Sequence, residues 1–514
     1  MLYVLIFSCH LSPEEISYDR QKPKQTREEP EIVIIEPTSE TSDIGWTQLG
    51  VQECVHPTSE VTYSDQSHIF GFEDEVFGNF SIEGGMALMQ YQDAWWIWQI
   101  VAPGLVEGRS ENGESQIIET PNIPIRLYID DIDQNGLDDM MIVGEFFVIV
   151  WDVLNDTQQT EVIIPFTSQQ SIRDVGTFDA DGDGDLDIWI FAADGEIGHD
   201  ASWGWLLKNQ GNREFLEPQN IAPEAPWAVS WDGFVMDWDE DGDPDIYVCN
   251  DFGPMFGGNW VLINDGTGNF TAGNTLDADI KTFCMGVSAG DMNRDGRLDL
   301  YITGTGDQHL LQKYDDGYVE ITSAVGLENF EEDHMLWGAD ITDYNNDGYF
   351  DIFVATSELT NLTSTNTLLP IVLYEQNQDR QFEEVGHELG LEQETMSRVA
   401  IAHDINNDGI EDLIASSASR LAHVYLSDGC TENRWLHIKG PEGSIVQVVS
   451  GTNVWTHFIT KNPGMAASKP RGAHIGLGDL EEVDFISLRQ PWKEPVFLLG
   501  PIPTNQRIIY EPPP

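Results

Sequence analysis

Apolar residues in this chain come in short bursts, alternating with polar positions or running continuously, and the bursts recur. "DIWIF", "DIYVC", "DLYIT", "DIFVA" and "DLIAS" each follow an acidic, glycine-containing loop, and runs such as "CMGVSAG", "LWGADIT" and "RVAIAH" precede it. A period of two or an unbroken short run bounded by turn residues predicts strands, and two such runs around one loop predict a hairpin. The acidic loops fit D-x-[DN]-x-[DN]-G-x-x-D and begin at Asp131, Asp179, Asp237, Asp291, Asp343 and Asp404, about fifty residues apart. A repeat of that length, built of strands, predicts a propeller. The stretch "GGMALMQYQDAWWIWQIVA" (84–102) has the strand–turn–strand pattern without an acidic loop and reads as a further blade. The expected fold is therefore all-β: a seven-bladed β-propeller over residues 45–430, then a small β domain over 431–514. The segment "WTQLGVQECV" from Trp46 is expected to pair into the last blade and close the ring, because closure removes exposed sheet edges.

The loops carry the candidate chemistry. Calcium takes about 6–8 oxygen ligands, and a tight turn can aim carboxylates or amides at positions 1, 3 and 5 inward while position 9 returns on the second strand. The candidate ligands are Asp131, Asp133, Asn135 and Asp139; Asp179, Asp181, Asp183 and Asp187; Asp237, Asp239, Asp241 and Asp245; Asp291, Asn293, Asp295 and Asp299; Asp343, Asn345, Asp347 and Asp351; and Asp404, Asn406, Asp408 and Asp412. A helical EF-hand loop needs Glu at position 12. Those positions hold Ile142, Ile190, Val248, Ile302, Val354 and Ala415, so that reading fails. Up to six Ca²⁺ are expected, because carboxylates crowded this closely repel one another unless a cation lies between them.

Charge and cysteines refine the picture. The 514 residues include 89 Asp and Glu against 24 Lys and Arg, a formal net charge of −65. Such a surface repels nucleic acid and anionic lipid and attracts metal cations. The start, MLYVLIFSC, resembles a lipoprotein signal in which Cys9 is lipidated. Residues 1–9 are read as that signal and 10–44 as a polar tether whose one apolar stretch is Ile32–Ile35. The chain is then exported, as a bacterial cell-surface or outer-membrane lipoprotein or else secreted, and touches membrane only through its lipid. Four cysteines remain. Closing the ring from the N-terminal side brings Cys54 to Cys430, leaving Cys249 and Cys284 for each other or free; the alternative is four reduced core thiols.

The repeats resemble the FG-GAP/VCBS repeats of integrin-type propellers. "YVCNDFGPMFGGNWVLINDGTGNF" (247–270) and "CMGVSAGDMNRDGRLDLYIT" (284–303) resemble one branch, the cartilage acidic protein-like family, and "NRWLHIKG" (433–440) with "RGAHIGLGDLEEVDFISLRQPWKEP" (471–495) resembles the ASPIC/UnbV domain, although Trp492 follows Pro491 where that domain has the reverse order. The resemblance implies an extracellular calcium-binding protein that binds a ligand and is not an enzyme. A protein or glycan ligand at a propeller face is the expected partner. A sugar-binding platform of Trp203, Trp205, Trp227 and Trp231, or a hydrolase or lyase site using His309, His334 and His403, are the alternatives; "HELGL" from His387 is only half of a zinc-protease motif, since Leu391 stands at the second histidine position.

Overall fold

In the computed structural model the described residues are 32–512, apart from 36, 38–44, 53, 55–56, 59, 73–84, 92, 121–122, 145–146, 153–156, 164–169, 195–202, 212, 223–228, 328–329, 332–333, 359–368, 392–393, 396 and 417–421. Cys9 and the signal and most of the tether lie outside them. Strands dominate. Seven sheets follow one plan, an antiparallel meander of four strands whose first strand is innermost. The sheet of Val229–Met236, Asp245–Asp251, Trp260–Asn264 and Phe270–Ala272 is representative. Five other sheets begin with the strands Met86–Tyr91, Pro124–Asp130, Gln170–Phe178, Gly286–Gly290 and His334–Thr342. The seventh holds Ala400–His403, Asp412–Ala415 and His423–Ser427. Innermost strands of successive sheets touch one another around the ring, and Trp95 of the first sheet meets His403 of the seventh at a ring-centroid distance of 4.9 Å. The chain is a β-propeller.

The ring is closed by a different strand from the one expected. Tyr63–Asp65 pairs antiparallel with His423–Ser427 and supplies the fourth strand of the last sheet. Trp46–Val51 pairs instead with Gln506–Tyr510 of the C-terminal domain, where the Trp46 and Tyr510 rings pack tilted, centroids 4.9 Å apart. Both runs suit a strand, and only contacts more than 350 residues away in sequence choose between them. Cys54 lies between the two strands and is bridged to Cys430, with Cα atoms 5.7 Å apart. Cys249 is bridged to Cys284 of the neighbouring sheet, Cα atoms 5.5 Å apart.

The C-terminal domain is a sandwich of two four-stranded sheets, one of them completed by Trp46–Val51, around Leu436, Ile438, Val448, Ile475, Ile486, Leu498 and Ile508. It is not a separate appendage. Between its strands Asn453–Phe458 and Ala473–Gly478 the chain enters the centre of the propeller. There Ala467–Ser468 adds a parallel strand to Met86–Tyr91. Ser468 Oγ accepts the Ile129 amide at 3.0 Å, and the Pro463 carbonyl accepts Ser288 Oγ at 2.6 Å. Lys461 Nζ lies 2.8 Å from Asp130 and also bonds Asp138, and Lys469 Nζ reaches Asp340 at 2.6 Å and the Ala402 carbonyl at 3.1 Å. A segment that touches innermost strands on all sides occupies the axis. It fills what would otherwise be a polar channel, and its two lysines neutralise the buried acids Asp130 and Asp340.

The tether's apolar stretch docks as well. Val33 N–H donates to the Asp295 carbonyl at 2.6 Å, and Gln447 donates to the Val33 carbonyl at 2.9 Å. Ile34 and Ile35 pack beside Val449, Val454, Phe485 and Phe497.

Lys461→Met should cost about 3–5 kcal/mol, because it takes from the fully buried Asp130 the cation bonded to it and leaves it the more distant charge of Arg471. Denaturant unfolding measures this. The double variant Asp130→Asn/Lys461→Met should recover part of the loss, since the uncompensated charge is gone.

Candidate metal centres

Each acidic loop joins the first and second strands of one sheet, so all six lie on one face of the propeller. The turn is built the same way each time. Position 6 is a glycine with positive φ: 88° at Gly136, 91° at Gly184, 102° at Gly242, 91° at Gly296, 91° at Gly348 and 90° at Gly409. Position 4 is also left-handed, at Gln134, Gly182, Glu240, Arg294, Asn346 and Asn407. None of these is β-branched, the class that this conformation excludes most strongly. The two left-handed residues turn successive amides inward. In the Asp291 loop, Asp291 Oδ1 and Oδ2 accept from the amides of Asp295 and Gly296, both at 2.9 Å; the Asp343 and Asp404 loops repeat the bond from position 6.

Position 9 carries more than ligand character. Asp187 Oδ2 accepts the Ala180 amide at 3.0 Å, and its Oδ1 accepts the Asn209 amide at 2.8 Å. Asp245, Asp299, Asp351 and Asp412 bond in the same pattern, to position 2 of their own loop and to the third strand. This carboxylate fixes the loop to the sheet.

The residues fit a hard dication. One carboxylate oxygen each from Asp179, Asp181 and Asp187 lies within 4.8 Å of the others, and so do those of Asp237, Asp239 and Asp241. Buried oxygens of Asp181, Asp237 and Asp343 have no hydrogen-bond donor, a state that costs free energy unless a cation completes it. Burial, reinforced by neighbouring carboxylates, pushes Asp187, Asp245 and Asp291 up to about 7 and holds Asp299, Asp343, Asp351 and Asp412 well above the usual carboxylate range.

The loops differ in their surroundings. The C-terminal domain lies against every one of them. Trp492 donates its indole N–H to the Asp179 carbonyl at 3.1 Å and its amide to Gly242 at 2.8 Å. The Trp455 indole donates to Gly348 at 3.2 Å and its ring lies under Arg294, 4.5 Å away. Trp435 covers Gly409. Arg489 approaches Asp237 at 3.3 Å, Arg507 approaches Asp404 at 2.8 Å, and Lys461 bonds Asp138 beside the first loop. Trp492 is left-handed, φ 64°, and so its indole meets the Asp179 loop while its amide meets the Asp237 loop. None of these partners was legible from the repeats; the one signal was the spacing of single tryptophans through the C-terminal segment.

The other candidate groups are not assembled. Trp205 packs with Phe215 against the core of the second and third sheets, whereas Trp231 packs near Trp337, 6.5 Å between centroids. Trp227 lies outside the described residues, as does the placement of the Trp203 side chain. His309 pairs with Asp307 and Glu320 on the fifth sheet, the His334 ring lies tilted beside Phe330, and His403 meets His437 and not the other two. "HELGL" forms a surface turn. Sequence reading also missed the buried acids of the innermost strands: Asp174, Asp232 and Asp340 each accept an amide of the next sheet, from Gly233, Val287 and Ala402 at 3.0, 3.0 and 2.8 Å.

The raised carboxyls set a pH dependence. Their values near 7 exceed the unfolded value near 4, so in chelator the native state holds protons that the unfolded chain releases. That contribution is complete below about pH 4 and disappears as pH rises through about 7. The melting temperature in chelator should therefore fall between pH 5 and pH 8, and the stabilisation added by calcium should grow over the same window. A chelated melt that rises with pH would contradict this account.

Comparison with known proteins agrees with this geometry. The FG-GAP-like repeat family model matches residues 237–302 and 343–415, which contain four hairpin segments with their acidic loops or flanks. Cartilage acidic protein 1 of Mus musculus is 26% identical over 251 residues, covering 46% of this chain and 38% of that protein. The Homo sapiens protein is 26% identical over the same length, with 37% of it covered. The chain thus spans well under half the length of the curated relatives it matches. Among solved structures, virginiamycin B lyase from Staphylococcus aureus aligns over 71% of this chain and 99% of its own, at 11% identity and a TM-score of 0.44. The chain carries FG-GAP-like repeats over residues 237–302 and 343–415 and is similar to the cartilage acidic proteins.

Proposed function

We propose that this protein is an exported, calcium-loaded propeller that serves as an extracellular binding scaffold. The observation that carries the calcium reading is the set of buried, donorless carboxylate oxygens on Asp181, Asp237 and Asp343, inside turns that already aim further oxygens at the same point. Two disulfides support export, since such bridges persist in oxidising compartments. The C-terminal domain covers the metal face and the 459–472 segment fills the axis, so a protein or glycan ligand is directed to the opposite face. That face includes the short helix Gly253–Phe256 with Met255 half exposed. Calcium then has a structural role, and the binding surface is held in place by it. Binding without catalysis is the reading adopted, because the candidate histidine and tryptophan groups do not converge among the described residues.

The test is direct. Protein dialysed against millimolar calcium and then against metal-free buffer should retain more than one calcium ion per chain, and excess chelator should remove them and lower the melting temperature. No retained calcium together with an unchanged melt would end the calcium reading. A panel of glycans and purified extracellular matrix proteins, with and without calcium, tests the scaffold role.

Anchoring is tested separately: with Cys9 lipidated, the full chain partitions into detergent and Cys9→Ser moves it to the aqueous phase. Wild-type protein in the aqueous phase would favour secretion.

A further inference from the structure

The Asp131 loop differs from the other five in what faces its carboxylates. Arg213, in the connection between Trp203–Leu207 and Gln219–Asn220 of the next sheet, reaches across to it. Its Nη2 lies 3.0 Å from Asp133 Oδ2 and also bonds Asp139 Oδ1, while its Nε donates to Asp139 Oδ2 at 3.0 Å. The guanidinium therefore spans positions 3 and 9 of the loop. The geometry is the two-pronged one for which arginine, and not lysine, is shaped. Both groups are largely buried, with side-chain exposures of 10% for Arg213 and 3% for Asp139.

Two contrasts give this arrangement its meaning. In the other five loops the position-9 carboxylate accepts amides from its own loop and from the third strand; Asp139 has both oxygens on Arg213. Asp181, Asp237 and Asp343 keep buried oxygens without a donor, whereas the Asp131 loop, like the Asp291 and Asp404 loops, has no carboxylate oxygen in that state. Cations approach four other loops, but each touches one carboxylate there: Arg489 meets Asp237 and Arg507 meets Asp404, both at position 1, Lys208 meets Asp181 at position 3 (3.0 Å), and Arg297 meets Asp295 at position 5 (3.8 Å). None of them bridges positions 3 and 9.

We infer that Arg213 is the resident cation of the Asp131 loop: its guanidinium takes the place a metal ion holds in the other loops, so this loop binds no calcium and at most five load. The substitution also joins two sheets, because the acids belong to the second and the arginine to the third. A metal ion held by one loop makes no such link. This inference rests on the calcium reading for the remaining loops.

The experiment is a calcium titration of the full chain with bound metal counted per chain. Asp133→Ala should bind as many ions as wild type, whereas Asp239→Ala, at the same position of the Asp237 loop, should bind one fewer. Loss of one ion in Asp133→Ala would overturn the inference. If wild type and every variant bind none, the calcium reading of the other loops fails, and the role of Arg213 is then read from melts in chelator. There Arg213→Gln should lower the melting temperature by several degrees, and adding Asp133→Ala to it should cost less than Asp133→Ala costs alone. Strictly additive shifts would show that Arg213 and Asp133 do not act as a pair, and would overturn it.

Discussion

The constraint on which the rest of this structure depends is that buried carboxylates need cations. One face of the propeller carries six acidic loops, and the chain has few basic residues to set against them. Removing several like charges from water together is too costly to sustain unless each cluster is neutralised. Carboxyls driven to about 7 at Asp187, Asp245 and Asp291 are the thermodynamic expression of that conflict. The loop backbone answers part of it with inward amides. The rest falls to cations, from solution or from the chain itself.

The chain's own cations are placed with corresponding economy. Lys461 and Lys469 descend the axis to Asp130 and Asp340, and Arg213, Arg489 and Arg507 stand at three loops. Three tryptophans of the C-terminal domain, Trp435, Trp455 and Trp492, cover the loops and bond their carbonyls or pack on their glycines. The domain is therefore part of the propeller's electrostatics as well as its packing. Its strand Ala467–Ser468 belongs to the first sheet, and the N-terminal strand Trp46–Val51 belongs to the domain, so neither unit is complete alone.

Much of the candidate site was legible because it is local. A nine-residue loop states its own turn through glycine at position 6, its own ligands through spacing, and its own strands through the apolar runs on either side. The repetition then states the propeller. The same spacing marks the position-9 aspartates as ligands, but their second task, gripping the third strand, is invisible in it because it depends on residues such as Asn209 and Ser427 that the motif does not include.

The sequence by itself determined the hairpins, the acidic turns and the all-β propeller. Tertiary structure alone decided which N-terminal strand closes the ring, that residues 459–472 fill the axis, that Ile32–Ile35 dock, and that one of six similar loops holds an arginine. The physical reason is range. A turn's conformation is set by the residues within it, whereas Lys461 finds Asp130, and Trp492 finds Asp179, across more than 300 residues of chain. Those partners carry no motif, and only the closed ring brings them within reach.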